Sequence, residues 1–153
     1  MRRKDRMRAD REFVDKALDE AQELFLAMMD GSWPYCVPLN FARADSRLYV
    51  HCALEGHKLD LIKADPHVAF ACAMDVEVDR MKSTTYYRSV SGKGLASLVE
   101  DEAEKCLALD AIGEKYNARC PRPSPPSAAA RTGVIRIDIQ EACGKLSARK
   151  VEG

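Results

Sequence analysis

The sequence predicts a mainly β (α+β) domain: a small antiparallel barrel with helices packed on its outside. Apolar and polar residues alternate along several short segments, the period-2 pattern of half-buried strands. Segments with helical periodicity are too few to supply the crossovers of a doubly wound parallel sheet, and no GxGxxG follows a strand. A length of 153 residues suits one core, so residues 1–153 read as a single domain.

Each element has its own warrant. Residues 9–23 read as a helix, with Phe13, Val14, Ala17, Leu18 and Ala21 on one face. Residues 24–29 follow as the first strand, closed by the turn signal Asp30 and Gly31. Tyr35, Val37, Leu39 and Phe41 then alternate with Cys36, Pro38 and Asn40. The polar stretch ARADS (42–46) reads as a turn, after which Leu48, Val50 and Cys52 alternate with Tyr49, His51 and Ala53. The two alternating segments read as a strand pair. Gly56 starts a helix through residue 64 that Pro66 stops. Residues 68–74 form a nearly continuous apolar run, the mark of a strand covered on both faces.

Residues 75–84 are polar and loop-like, although Val76 and Val78 can extend a strand. Residues 86–99 form a long strand interrupted by Gly92 and Gly94, where a bulge, a bend or a close backbone approach is expected. Asp101 and Glu104 make a capping-box-like start for a helix ending near Tyr116. Residues 118–132 hold four prolines and read as a loop, a connector by default and a lid as the alternative. A last strand spans 134–139, with Val134, Arg136 and Asp138 on one face and Ile135, Ile137 and Ile139 on the other.

Composition narrows the function. The 24 basic and 24 acidic residues cancel, which argues against nucleic acid as a partner. The cluster Arg2, Arg3, Lys4, Arg6 and Arg8 reads as a solvated terminus, because no aromatic residues interleave for base stacking. The charged N-terminus lacks an apolar leader, and no apolar run reaches membrane-span length, so no membrane partner is expected. Six cysteines occur without a CxxC pair. Cys36, Cys52, Cys72 and Cys106 read as small buried hydrophobes, and the expected location is cytoplasmic. The single tryptophan, Trp33, sits in an early turn with packing as its default role.

The chemistry-bearing stretch runs from Pro34 to Leu61. A glycine opening a helix with His57 and Lys58 in its first turn can cradle a phosphate between backbone N–H groups, the helix dipole and an ammonium. A plain turn and a solvated lysine account for the same letters. Pro38 cannot donate to a strand ladder and therefore suits an edge, with or without a ligand.

The opening MRRKDR, then PYCVPLNF, LYVHCALEGHKLDLIKADPHVAF, YRSVSGKG and the late VIRIDI followed by GK occur in a family order and cover most of the chain. In them the chain resembles the FMN-binding split-barrel proteins related to pyridoxamine 5'-phosphate oxidase, most of all the 5-nitroimidazole resistance (Nim-type) branch. The resemblance implies a split β-barrel that pairs as a homodimer with two FMN sites between the copies. It implies that Val37, Pro38, Leu39 and Asn40 run beside the isoalloxazine ring, and that Val50, His51 and Cys52 contribute from the next strand. It places Gly56, His57 and Lys58 at the phosphate. His57 stands where the wider family has Lys or Arg, and Gly56 where the oxidase branch has Arg, so Lys58 is expected to carry more of the phosphate charge. Tyr87, Arg88 and Ser89 match a segment that reaches the flavin across the interface.

By the same resemblance His51 lies at the substrate pocket, where an imidazole can donate a proton. Oxidation of pyridoxamine phosphate itself is not expected, because the C-terminal GKLSARKVEG lacks that enzyme's Trp and Arg pair. The expected activity is flavin-dependent reduction of a small organic acceptor, with nitroaromatics as the implied example. The alternatives are a non-catalytic flavin carrier or sensor, or a haem-binding split barrel using His51.

Overall fold

The structure, a computed structural model, describes residues 4–149. After a short 3-10 turn at Lys4–Arg6 come β1 (Met7–Arg8), α1 (Arg11–Glu20), β2 (Leu24–Asp30), β3 (Trp33–Leu39), β4 (Ala42–Ala44) and β5 (Arg47–Cys52). The chain continues through α2 (His57–Ala64), β6 (His67–Asp79), β7 (Thr84–Leu98), α3 (Glu102–Lys115), α4 (Pro126–Arg131) and β8 (Gly133–Ser147). Of the basic N-terminal cluster, Arg2 and Arg3 lie outside the described residues.

The strands form one antiparallel sheet in the order β3-β2-β6-β7-β8-β5-β4, with β1 added along β8. The path does not close on itself: β3 and β4 are its two ends. This is the split barrel. Its inner face is built from alternate residues of every long strand, including Leu26, Met28, Leu48, Val50, Phe70, Val90 and Ile137. Val14, Ala17 and Leu18 of α1 and Leu59 and Ile62 of α2 plug the same core. A smaller core lies on the other side of β5 and β8, where Tyr49 and Val134 pack under Ala108 and Ile112 of α3.

Local sequence accounts for most of these elements. The Asp10 carboxylate accepts from the Phe13 N–H at 2.8 Å and so starts α1. The Asp101 carboxylate accepts from the Glu104 N–H at 2.7 Å and starts α3. A Cβ on Gly92 would collide with the Phe70 ring and the Glu141 carbonyl, so the expected close approach is real. A bulge falls beside it, between Lys93 and Gly94.

Several expectations need correction. β3 and β5 do not pair. β3 pairs with β2, while β5 lies between β4 and β8. Two tight hairpins claim the neighbouring edges first. Gly31 (φ 60°) turns β2 into β3, and Asp45 (φ 53°) turns the ARADS segment, which contains β4, into β5.

β6 is covered on one face only. Val68, Phe70 and Cys72 are buried, whereas Ala69, Ala71 and Ala73 point outward. The 75–84 segment is largely strand, because β6 continues past a bulge between Met74 and Glu77. β8 extends through Ser147; the absent Cβ of Gly144 makes room for Phe13. The proline-rich segment contains α4, with Pro126 at the helix start, where its missing N–H costs nothing. Cys36 is exposed, not buried, because it points from the outer face of β3. Trp33 opens a strand and is exposed, so it does not pack within the protomer.

Candidate cofactor site

β3 is an edge strand, which accounts for a proline at Pro38 and leaves backbone polar groups on one side without a ladder partner. Val37 and Leu39 turn inward against the core, while Pro38 is exposed on the outer face. Strand registers link Pro38 to Phe25, Phe25 to Ala71 and Ala71 to Ser91, so one row crosses four strands on that face. Asn40 lies just past β3. The next residue, Phe41, is held by its backbone: its N–H donates to the Tyr116 hydroxyl at 3.1 Å. Tyr116 has one proton, and its shortest contact gives that proton to the Gln22 carbonyl at 2.7 Å. Lys115 sits beside it, with Nζ 3.5 Å from the Phe41 ring centroid and donating to the Leu18 carbonyl at 2.9 Å. The end of α3 thereby fixes where β3 ends.

Val50 is buried in the main core, and His51 is exposed on the face it shares with Tyr49. Cys52 is half-buried; burial pushes its thiol pKa up, and the nearby Lys58 and Lys105 ammonium groups partly offset this.

Gly56 precedes α2 with φ 139°, a conformation that side chains rarely adopt. No side chain caps this helix start. The Gly56 carbonyl accepts from the Leu59 and Asp60 N–H groups, which leaves those of His57 and Lys58 without an intrahelical acceptor at the positive end of the dipole. Among the described residues no carboxylate is within ion-pair distance of Lys58. His57 is committed differently: its Nε2 lies 2.8 Å from Asp30 Oδ2, and its ring meets the Tyr35 ring edge-on at 5.2 Å. That contact joins β3 to the chain just beyond β5, across the split.

The third group separates by face. Ser89 pairs with Ala73 and shares the outer face of the Pro38 row. Tyr87 pairs with Ser147 at the far end of β7. Arg88 is occupied within the protomer, by Asp75 at 2.5 Å and Glu20 at 2.6 Å. The hydrogen bond to Asp75 is the main reason its pKa is raised. Sequence reasoning missed Asp30, Tyr35, Lys105 and Tyr116. A period-2 reading assigns the face of Tyr35 on β3 but not its contact with His57, and Asp30, Lys105 and Tyr116 reach the site from other elements.

Concavities of about 490 Å³ beside Arg47, Tyr49 and Leu107 and about 410 Å³ beside Arg43 and Lys115 lie elsewhere; neither includes Pro38, His51 or Lys58. Among the described residues no His, Cys, Asp and Glu cluster could hold a metal. Among the described residues no helix is long and apolar enough to cross a membrane.

The family model for pyridoxamine 5'-phosphate oxidase matches residues 10–146. The chain belongs to this family. Several solved structures share the fold described above. A candidate 5-nitroimidazole antibiotic resistance protein from Bacteroides thetaiotaomicron superposes with a TM-score of 0.80 at 22% identity, covering 91% of this chain and 85% of that one. An FAD and haem binding protein from Mycobacterium smegmatis gives 0.80 at 20% identity, covering 97% and 76%. An FAD-binding protein from Mesorhizobium loti gives 0.69 at 22% identity, covering 93% and 99%. No curated protein matches the chain.

Proposed function

We propose that this family member is an FMN-binding oxidoreductase that works as a homodimer and reduces a small organic acceptor, with nitroaromatic compounds such as 5-nitroimidazoles as the leading class. The observation that carries this reading is the start of α2. There a glycine at φ 139° opens a helix that no side chain caps, next to a Lys58 with no carboxylate partner among the described residues. Free N–H groups and an ammonium suit a phosphate monoester.

The residues divide the work. The β3 edge from Val37 to Asn40 offers backbone groups to the rim of a flat ring, with Pro38 as apolar floor. Gly56, His57 and Lys58 hold the phosphate end. FMN, when bound, supplies the electron transfer. His51, exposed on β5, gives the proton of its imidazole N–H to the reduced acceptor. Exposed Phe25 and Met29 share the outer face with Ala69 and Ala71, an apolar surface that supports pairing with a second copy. Ser89 lies on that face and would reach the partner's flavin.

The purified protein should show a flavin absorption spectrum, and its reduced form should be reoxidised by a 5-nitroimidazole. Reduced flavin that ignores every nitro compound would remove the assigned acceptor. A second reading, a flavin carrier or sensor without turnover, is favoured by the commitment of His57 to Asp30, which leaves the phosphate site short of a cation. It predicts a yellow protein that shows no steady turnover with any reductant. Haem binding through His51 is separated by a Soret band after reconstitution that His51→Ala abolishes.

A further inference from the structure

The basic N-terminal cluster plays no part in the cofactor site, yet two of its arginines are not simply solvated. β1 lies antiparallel on the end of β8, with Met7 opposite Lys145 and Arg8 opposite Gly144. That pairing carries Arg6 and Arg8 to the segment that leaves β8, where Arg149 stands. Asp5, Arg6, Arg8, Ser147 and Arg149 line one concavity of about 390 Å³. Arg6 and Arg8 are partly buried in it.

Their charges lack partners. Among the described residues no carboxylate lies within ion-pair distance of Arg6 or Arg8. Arg8 Nη1 donates only to backbone carbonyls, those of Met7 at 3.0 Å and Asp5 at 3.5 Å, so its remaining N–H groups are unspent. Arg149 is fixed at the wall, where its Nη2 bonds Glu77 and its guanidinium lies 5.4 Å from the centre of the Tyr86 ring. Asp5, the one acid on the lining, is already engaged. Ser147 spends its hydroxyl proton on the Thr85 carbonyl at 2.9 Å, so the side-chain donors facing this space are the arginines. Three guanidinium groups around one space repel one another unless an anion lies between them.

Two uncompensated charges match a dianion, and planar forks grip phosphoryl oxygens in pairs. A carboxylate monoanion would leave one guanidinium unmatched. A nucleic acid would need a basic stripe with aromatic residues, not one concavity. We propose that Arg6, Arg8 and Arg149 form a binding site for a phosphoryl dianion, as inorganic phosphate or a small phosphate monoester. This site is distinct from the start of α2, because the two lie at opposite ends of β8. Cys52, which leads to Lys58, pairs with Gly133, the first residue of β8, whereas Arg149 follows Ser147, its last. The inference does not rest on the flavin reading.

The test is calorimetric titration of the full chain with inorganic phosphate at fixed ionic strength. Binding should saturate, and Arg6→Met combined with Arg8→Met should weaken it by about tenfold or more while leaving FMN affinity unchanged. Arg6→Lys combined with Arg8→Lys keeps the charge and loses the forks, so its affinity should fall between the two. Should the double methionine variant fail to fold, Arg149→Met probes the opposite wall and should show the same direction of loss. Glycerol phosphate, as second probe, separates the sources: tighter binding than inorganic phosphate marks a monoester as the ligand, and weaker binding marks the free ion, either supporting the site. Binding should persist in Lys58→Ala. Phosphate binding that Lys58→Ala abolishes and the double methionine variant retains overturns the inference. So does the failure of both probes to bind wild type at about 10 mM. A protein that binds no flavin would overturn the proposed function and leave this site standing.

Discussion

At the scale of single residues, Gly56 is the most constrained position in the candidate site. A Cβ there would meet nothing within 4 Å, so the cost of any substitution lies in the backbone alone. Gly56→Ala should therefore destabilise the fold by about 1–3 kcal/mol, read from urea denaturation, and should disturb the phosphate cradle with it. Lys58 and His57 carry unequal burdens. His57 is committed to Asp30 while Lys58 has no carboxylate partner among the described residues, so Lys58→Ala should weaken FMN by about tenfold or more and His57→Ala by less. Equal losses in a flavin titration would contradict this division.

Lys115 gives a pH signature. Burial, the larger influence on it, lowers its pKa from 10.5 to about 8. Between those values the unfolded chain binds a proton that the folded chain does not, so on this account stability rises with pH through that window and is flat below it. Urea midpoints at about pH 7.5 and about pH 9.5 should show the rise, and Lys115→Met should flatten it.

At the scale of elements, the β6–β7 ladder depends on Gly92. A Cβ there faces the Phe70 ring on one side and a fixed carbonyl of Glu141 on the other, neither of which can yield cheaply. Gly92→Ala should destabilise by about 1–3 kcal/mol, as overpacked cores do, visible as a lowered melting temperature. Asp101→Ala removes the cap of α3 and should cost about 1 kcal/mol. Both positions are legible in the sequence, because a glycine inside a strand and an Asp three residues before a Glu are local signals. The strands β3 and β5 are legible for the same reason. Their neighbours are not: alternation says which way Tyr35 or Val50 faces, and it is silent on which strand lies alongside. The outward turn of Ala69, Ala71 and Ala73 is hidden too, since small apolar side chains suit either face. Contacts such as Asp30 with His57, 27 residues apart, and Tyr116 with Phe41, 75 apart, exist only once the barrel is assembled.

At the scale of the whole molecule, pairing of two copies is the main open prediction. The row from Pro38 through Phe25 and Ala71 to Ser91 gives a flat outer face with one large apolar side chain at its centre. Ala71→Arg places a charge in that row without touching the core. Sedimentation should then show a monomer, and flavin should be lost with the interface. A dimer that keeps its flavin despite Ala71→Arg would place the contact on another face.

The long β8 has a temporal implication. It is the sole ladder joining β7 to β5, and it also carries β1. During synthesis, the β3-β2-β6-β7 half can assemble early, but β7 then offers a bare margin until β8 leaves the ribosome. For those seconds the nascent chain presents an unsatisfied template on which a sister chain can add a strand. The interval in which this protein most needs a chaperone is therefore written into the order of its strands.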